Sequence, residues 1–325
     1  MRTDTPPKAI YLKDYTPPHW RAEHVDLSFR IFEEKTLVRA ITKYRKNHKG
    51  NSPLILNGEH LKLLSVKIGG KTPDHEVDDK SLTIHALPGD EFTLEIETEI
   101  DPASNTRLEG LYKSGGNWCT QCEAEGFRTI TYYVDRPDNM ATFRVRVEGN
   151  KAACPVLLSN GNLIEEGSAP DGRHFTVWDD PTPKPCYLFA LVAGKLEYVQ
   201  DHFKTRSGLD VDLRIYVRDG DQKQCAHAMD SLKRCMRWDE DVYGREYQYT
   251  RFNIVAVSDF NMGAMENKSL NIFNTAYVLA DQNTATDADF DNIARVVAHE
   301  YFHNWSGDRV TCRDWFQLSL KEGFT

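Results

Sequence analysis

Five consecutive residues in the 325-residue sequence have the types and spacing for metal-assisted hydrolysis: His299-Glu300-Tyr301-Phe302-His303. On an α-helix at about 100° per residue, the two histidines lie about 40° apart and one turn along the axis. Both imidazoles can then reach one ion. Neutral imidazole suits zinc, and two protein nitrogens leave room for a third ligand and a water. Glu300 projects to the side where that water would lie and can take its proton as general base. Such a string also arises by chance on helices, so the third ligand matters. Glu322 follows His303 by nineteen positions, inside a second helix-like run from Trp315 to Glu322. A short loop through Ser306-Gly307-Asp308-Arg309 and an antiparallel return would bring Glu322 beside the histidine pair. Two histidines and one glutamate with an open fourth position form the catalytic rather than the structural arrangement. The competing reading of Glu322 is a solvated charge at a helix end, paired with Lys321.

The histidines need a long helix, and the pattern predicts one from near Thr286 to about Trp305. Thr286 and Asp289 form a capping-box spacing, and Ile293, Val296, Val297 and Tyr301 supply an apolar face. Lys223 to Tyr243 holds neither proline nor glycine until Gly244, and Ala226, Met229, Leu232, Met236 and Val242 recur near helical spacing. Strands are expected at Phe252–Val257 and Leu270–Phe273. From Val25 to Val199 the texture alternates with period two instead, at Val25–Ile31, Leu82–Ala86, Phe92–Ile100, Thr129–Val134, Ala141–Val147 and Phe175–Trp178. Turn signals such as Asn57-Gly58, Pro88-Gly89-Asp90, Asn160-Gly161 and Asp171-Gly172 punctuate these runs. This is a multidomain chain: an antiparallel all-β N-terminal domain, sandwich or open sheet, over residues 1–200, then a region with helices over 201–325.

The sequence resembles the zinc aminopeptidases of the aminopeptidase N type, which are gluzincins, and is similar to their bacterial branch. The resemblance rests on the His299-Glu300-x-x-His303 plus Glu322 spacing and on Gly263-Ala264-Met265-Glu266-Asn267, the family's exopeptidase motif, 32 residues before His299. The segment Gln121-Cys122-Glu123-Ala124-Glu125-Gly126-Phe127-Arg128, Asn304-Trp305, and the run from Thr311 to Leu318 match as well. The resemblance implies one Zn2+ per chain on His299, His303 and Glu322, with Glu300 activating water. It implies an incomplete α+β, thermolysin-like catalytic domain over 201–325 and a substrate-anchoring segment near 119–128. Glu266 and Glu123 would bind the free α-ammonium of a peptide, the carboxylates holding that group protonated near neutrality. Gly263 and Ala264 would offer backbone groups to an extended substrate, beside Asn267. Gln121 and Met262 would line the pocket for the first side chain, methionine suiting a tolerant pocket. Without the resemblance, Glu266 and Glu123 read as a pair of exposed carboxylates.

Composition narrows the alternatives. Lys+Arg total 40 against 49 Asp+Glu, a net charge of −9, which excludes a sequence-independent nucleic-acid binder. The densest basic cluster, Lys43 to Lys49, reads as a hairpin turn. No stretch approaches the roughly 18 apolar residues of a membrane span. The longest apolar run, Tyr187 to Ala193, is strand-sized, and Met1 to Pro7 lacks an apolar signal core, so a cytoplasmic monomer without membrane or nucleic-acid partners is expected. Seven cysteines are too sparse for a secreted disulfide framework. Cys119-Thr120-Gln121-Cys122 could be half a zinc ribbon or a redox pair, but no second Cys-x-x-Cys follows, and reduced thiols are the expectation. The other nine histidines show no metal spacing, and Gly69-Gly70 and Gly115-Gly116 read as turns rather than a phosphate loop.

Two competing functions stay open at this level. One is a gluzincin with a second hydrolase activity such as epoxide hydrolysis. The other is a catalytically dead relative or fragment serving as a zinc-binding interaction module, although a scaffold has no chemical need for all three ligands and the base. The helix-like run continues only to Thr325, three residues past Glu322. The resemblance implies further elements in family members: the rest of the catalytic domain, a tyrosine that stabilises the oxyanion, and a helical domain over the cleft. The expectation is therefore the front portion of a larger enzyme.

Overall fold

Alternating burial builds the first half of the chain. In the strand Trp20–Ile31, the side chains of Trp20, Ala22, Val25, Leu27, Phe29 and Ile31 all enter the core. Ala22 and Val25 are an odd number apart, and both face inward because a bulge between Ala22 and His24 shifts the register against the neighbouring strand. The computed structural model describes residues 9–325; the Met1–Pro7 segment read for a signal core lies outside them.

The largest sheet has seven strands, in the order Asn162–Ala169, Arg173–Lys184, Ala141–Asn150, Trp20–Ile31, Thr36–Lys46, Glu91–Ile100 and Lys62–Ile68. Its pairs are antiparallel except one: Trp20–Ile31 runs parallel to Ala141–Asn150. A three-stranded sheet of Leu54–Asn57, Ser81–Ile84 and His75–Val77 accompanies it. So does a four-stranded sheet of Val156–Ser159, Leu191–Gly194, Asn117–Gln121 and Gly110–Ser114. One apolar core joins these sheets, with Phe29, Phe127, Tyr133, Phe143 and Phe189 fully buried within it.

Two sequence expectations give way here. Thr129–Val134 is not a strand: a 3-10 turn spans Phe127–Thr129, and beyond it the backbone pairing with a strand is a single bridge, Tyr133 exchanging hydrogen bonds with Asn57. Ile130 to Val134 are all buried, with no alternation between two faces, so the run packs as a buried connection instead of laddering. The basic run from Lys43 is strand as far as Lys46. Its cations lie across from carboxylates on both neighbouring strands, with Lys43 3.1 Å and Arg45 2.8 Å from Glu23 and Arg45 3.0 Å from Glu91.

The second region carries a mixed five-stranded sheet in the order Glu197–Lys204, Asp210–Val217, Arg251–Val257, Leu270–Asn274, Ala264–Met265, the middle three strands being parallel. Three helices follow the motifs: α1 (Ala226–Tyr243), α2 (Asp287–Phe302) and α3 (Leu318–Phe324). Thr286 caps α2 with the expected box, its hydroxyl accepting from the Asp289 N–H and the Asp289 carboxylate accepting from the Thr286 N–H at 2.7 Å. Ile293, Val297 and Tyr301, four residues apart, bury one stripe of α2 in a core shared with Leu232 and Met236 of α1. α2 ends at Phe302, sooner than expected, and His303 becomes its C-cap. A further apolar cluster joins the two regions: Tyr112, Cys119, Tyr187 and Val192 pack with Tyr216, Val255, Met265 and Ile272. That cluster brings the segment after Asn117–Gln121 to the sheet that carries Ala264–Met265 and Glu266. No helix of the described residues is long and apolar enough to cross a membrane.

Candidate metal centre

The helical spacing does what the sequence argument asked of it. His299 Nε2 and His303 Nε2 lie 3.1 Å apart, with their rings at 87° to each other. Glu322, carried on α3, places Oε2 3.1 Å from His299 Nε2 and 3.5 Å from His303 Nε2. A tetrahedral ion with bonds of about 2.0–2.1 Å needs donors about 3.3 Å apart, so the three atoms fit zinc. The tautomer of His303 fits too. Its Nδ1 lies 2.6 Å from the carbonyl oxygen of Ser306, which can only accept, so the proton sits on Nδ1 and Nε2 is free to ligate. Gly307 makes this contact possible: at φ +147°, a Cβ there would meet His303 Nδ1 at 2.8 Å.

Glu300 faces the same space. It is buried, and its Oε2 has no hydrogen-bond partner. Burial, reinforced by the charge of Glu266, pushes its carboxyl well above the usual range. An orphaned carboxylate oxygen beside three groups that could hold an ion is where a proton acceptor for a bound water would stand. Without an ion, burial alone would lower the pKa of His303, but Glu266, Glu322 and Glu300 outweigh it and push it up to about 9, so an ion binding at Nε2 would displace a proton there.

The predicted anchor carboxylates are not exposed. Glu266 follows the short strand Ala264–Met265 and is only 4% accessible, while Glu123 sits in the turn after Asn117–Gln121. That turn closes on itself tightly: a Cβ on Gly126 would meet the Gln121 carbonyl oxygen at 2.5 Å. Oxygens of Glu123, Glu266 and Glu322 all lie within 4.8 Å of one another. Burial, and then the charge of Glu266, push the Glu123 pKa up to about 7. The Glu123-Ala124 peptide is cis.

A cavity of about 700 Å³ collects most of the predicted residues: Glu123, Met262, Gly263, Ala264, Glu266, His299, Glu300, His303 and Glu322 line it. Ala264–Met265 is an edge strand, paired only with Leu270–Asn274. Gln121 and Asn267 stand behind this wall. Gln121 is buried and donates through Nε2 to the Glu123 carbonyl oxygen at 3.2 Å, and Asn267 is fully buried with both amide atoms unpartnered. Cys119 and Cys122 are buried free thiols, and burial pushes Cys119 up to about 12.

Lys321 carries more than its sequence reading assigned. It is 5% accessible, and its ammonium donates to Glu123 Oε1 at 2.7 Å and to Glu266 Oε1, and lies 3.2 Å from Glu322 Oε1. Its adjacency to Glu322 was the one available signal. Asp308 is buried nearby, and burial, then Glu266, push its pKa up to about 8. No motif marked it.

Three side chains able to hold one ion, with an adjacent buried carboxylate at a cleft edged by a strand, make up a candidate hydrolytic metal centre. Residues 21–188 match the peptidase M1 N-terminal domain, and residues 227–325 match the peptidase family M1 domain. The chain belongs to the peptidase M1 family. It is 56% identical to aminopeptidase N of Caulobacter vibrioides, covering 100% of this chain and 38% of that protein. Aminopeptidase N of Escherichia coli is 53% identical, over 98% of this chain and 37% of its own length. A solved structure, Legionella pneumophila aminopeptidase A in complex with aspartic acid, superposes with a TM-score of 0.93 at 38% identity, over 96% of this chain and 37% of that one. The chain thus spans little more than a third of these relatives.

Proposed function

We propose that this chain carries the metal centre and amine anchor of a zinc aminopeptidase that removes the N-terminal residue from peptides. The observation that carries the reading is the convergence of His299 Nε2, His303 Nε2 and Glu322 Oε2 beside the unpartnered Glu300 Oε2. One Zn2+ per chain would be held by His299, His303 and Glu322, and when bound it supplies Lewis-acid charge that lowers a water's pKa to about 7. Glu300 takes the proton of that water at Oε2. Glu123 and Glu266 bind the substrate's α-ammonium, and an approaching cation favours the ionised form of Glu123. The free edge of Gly263-Ala264 aligns the extended peptide as an added strand, and Met262, 42% accessible, adapts to its first side chain. Gln121 and Asn267 serve from behind the wall, Gln121 by fixing the backbone of Glu123.

In this reading residues 1–200 form the β domain and 201–325 belong to the catalytic domain. The unpaired cysteines support a reducing, cytoplasmic compartment. The test is Glu300→Ala, assayed for zinc content and for hydrolysis of an alanyl-anilide, in this chain and in one extended to the length of its relatives. About one zinc per chain should remain while turnover falls by about 10²–10⁴-fold. Loss of zinc together with turnover overturns the base assignment.

A further inference from the structure

One ammonium sits where the carboxylates could hold an ion. Lys321 Nζ donates to Glu123 Oε1 at 2.7 Å and to Glu266 Oε1, and pairs with a third acid, Glu322, whose Oε1 lies 3.2 Å away. Oxygens of the same three glutamates lie within 4.8 Å of one another, a spacing that suits a divalent cation with oxygen ligands. Glu322 belongs to both groups, with Oε1 toward Lys321 and Oε2 toward the histidines. Two cation seats therefore share one bridging carboxylate, as in two-metal sites about 3.5–4 Å apart. Lys321 is held in place from behind: its Nζ lies 5.1 Å from the centre of the Tyr187 ring. Tyr187 is fixed in turn by Thr311 Oγ1 at 2.8 Å and by an edge contact with Trp315 at 5.1 Å.

We propose that Lys321 occupies the seat of a second metal ion and so keeps this centre mononuclear, leaving Glu123 and Glu266 to an ammonium rather than to a divalent cation. A fixed single charge neutralises the carboxylate cluster in part and leaves a net negative site for one more monocation, which is the charge of a peptide's N-terminus. The lysine touches no reacting atom and is a specificity-determining residue. The inference rests on reading His299, His303 and Glu322 as the ligands of the first ion.

The experiment is zinc stoichiometry by elemental analysis and calorimetric titration of this chain and of Lys321→Ser, which vacates the seat. The original chain should stop at one zinc, and Lys321→Ser should take two, a twofold rise that a purely structural lysine would not produce. Adding Glu123→Gln to Lys321→Ser should return the count to one, which separates this seat from surface binding. A Lys321→Ser chain that still takes one zinc overturns the proposal and leaves the proposed function standing. An original chain that takes none overturns both. Should Lys321→Ser fold only with zinc present, the count is made on the zinc-refolded protein. Two ions then support the proposal, and one ion, or failure to fold in excess zinc, overturns it.

Discussion

Two clusters of charge are buried in this molecule, and they differ in whether their charges balance. Asp180 and Lys184 form a closed pair, both essentially inaccessible, with Lys184 Nζ 2.9 Å from Asp180 Oδ2. Hydroxyls of Thr182, at 2.9 Å, and Tyr249, at 2.8 Å, donate to the other carboxylate oxygen, and the lysine sits 4.0 Å from the Phe143 ring centre. Burial alone would raise the Asp180 pKa, but Lys184, Lys268 and these donors hold it below the usual range. The cluster at the cleft sets Glu123, Glu266, Glu300 and Glu322 against Lys321, with His303 between them. Two of its carboxyls move the other way, with Glu300 raised and Glu123 pushed up to about 7, both chiefly through burial, while at Glu322 burial is outweighed by the histidines, which hold it below the usual range. A buried cluster that only holds the fold satisfies its own charge. One that works leaves charge and an orphaned oxygen for what must bind there.

Breaking the balanced pair should cost most. Lys184→Met leaves Asp180 buried without its partner and should destabilise the chain by about 3–5 kcal/mol in urea unfolding, whereas Asp180→Asn with Lys184→Met should cost far less. Equal losses in both would mean that the pair is not the unit.

A lone buried acid tests what balance is worth. Asp239 on α1 is 2% accessible, and burial by itself pushes it up to about 7. Its folded pKa exceeds the unfolded value of about 3.9, so its contribution to stability is present at low pH and lost as pH rises through about 7. Asp239→Asn should therefore melt near the original chain at pH 4 and progressively above it toward pH 8. A pH-independent difference would contradict this.

The smallest effect should come from relieving the unbalanced cluster. In the metal-free chain, Glu300→Gln removes one of four crowded carboxylates and should gain up to about 2 kcal/mol in the same unfolding assay, the opposite sign to Lys184→Met. A loss of stability would place Glu300 in the structural class.

The long helix was legible because its signals are local. The Thr286 box, the stripe of Ile293, Val297 and Tyr301, and the histidine pair each depend on spacing within a few residues. The strands around Val25–Ile31 and Phe92–Ile100 were legible for the same reason. Thr129–Val134 was not, because an alternating sequence does not say whether a ladder or a buried connection takes it up. The basic run at Lys43 misled because its meaning lies in Glu23 and Glu91 on other strands. At the site, Glu322 could be read from its spacing. The burial of Glu123 and Glu266 could not, since their carboxylates meet only where the two regions pack together.

Residue order alone placed His299 and His303 within reach of one point, since one helical turn sets their spacing. It also carried the family, through motifs kept in order and spacing. The role of Lys321 came from packing. Its ammonium meets Glu123 across 198 positions and Glu266 across 55, contacts that local propensity cannot encode. Charge interactions act through space, so whether a buried lysine is a bystander to Glu322 or the cation among three acids is settled only when the sheets close.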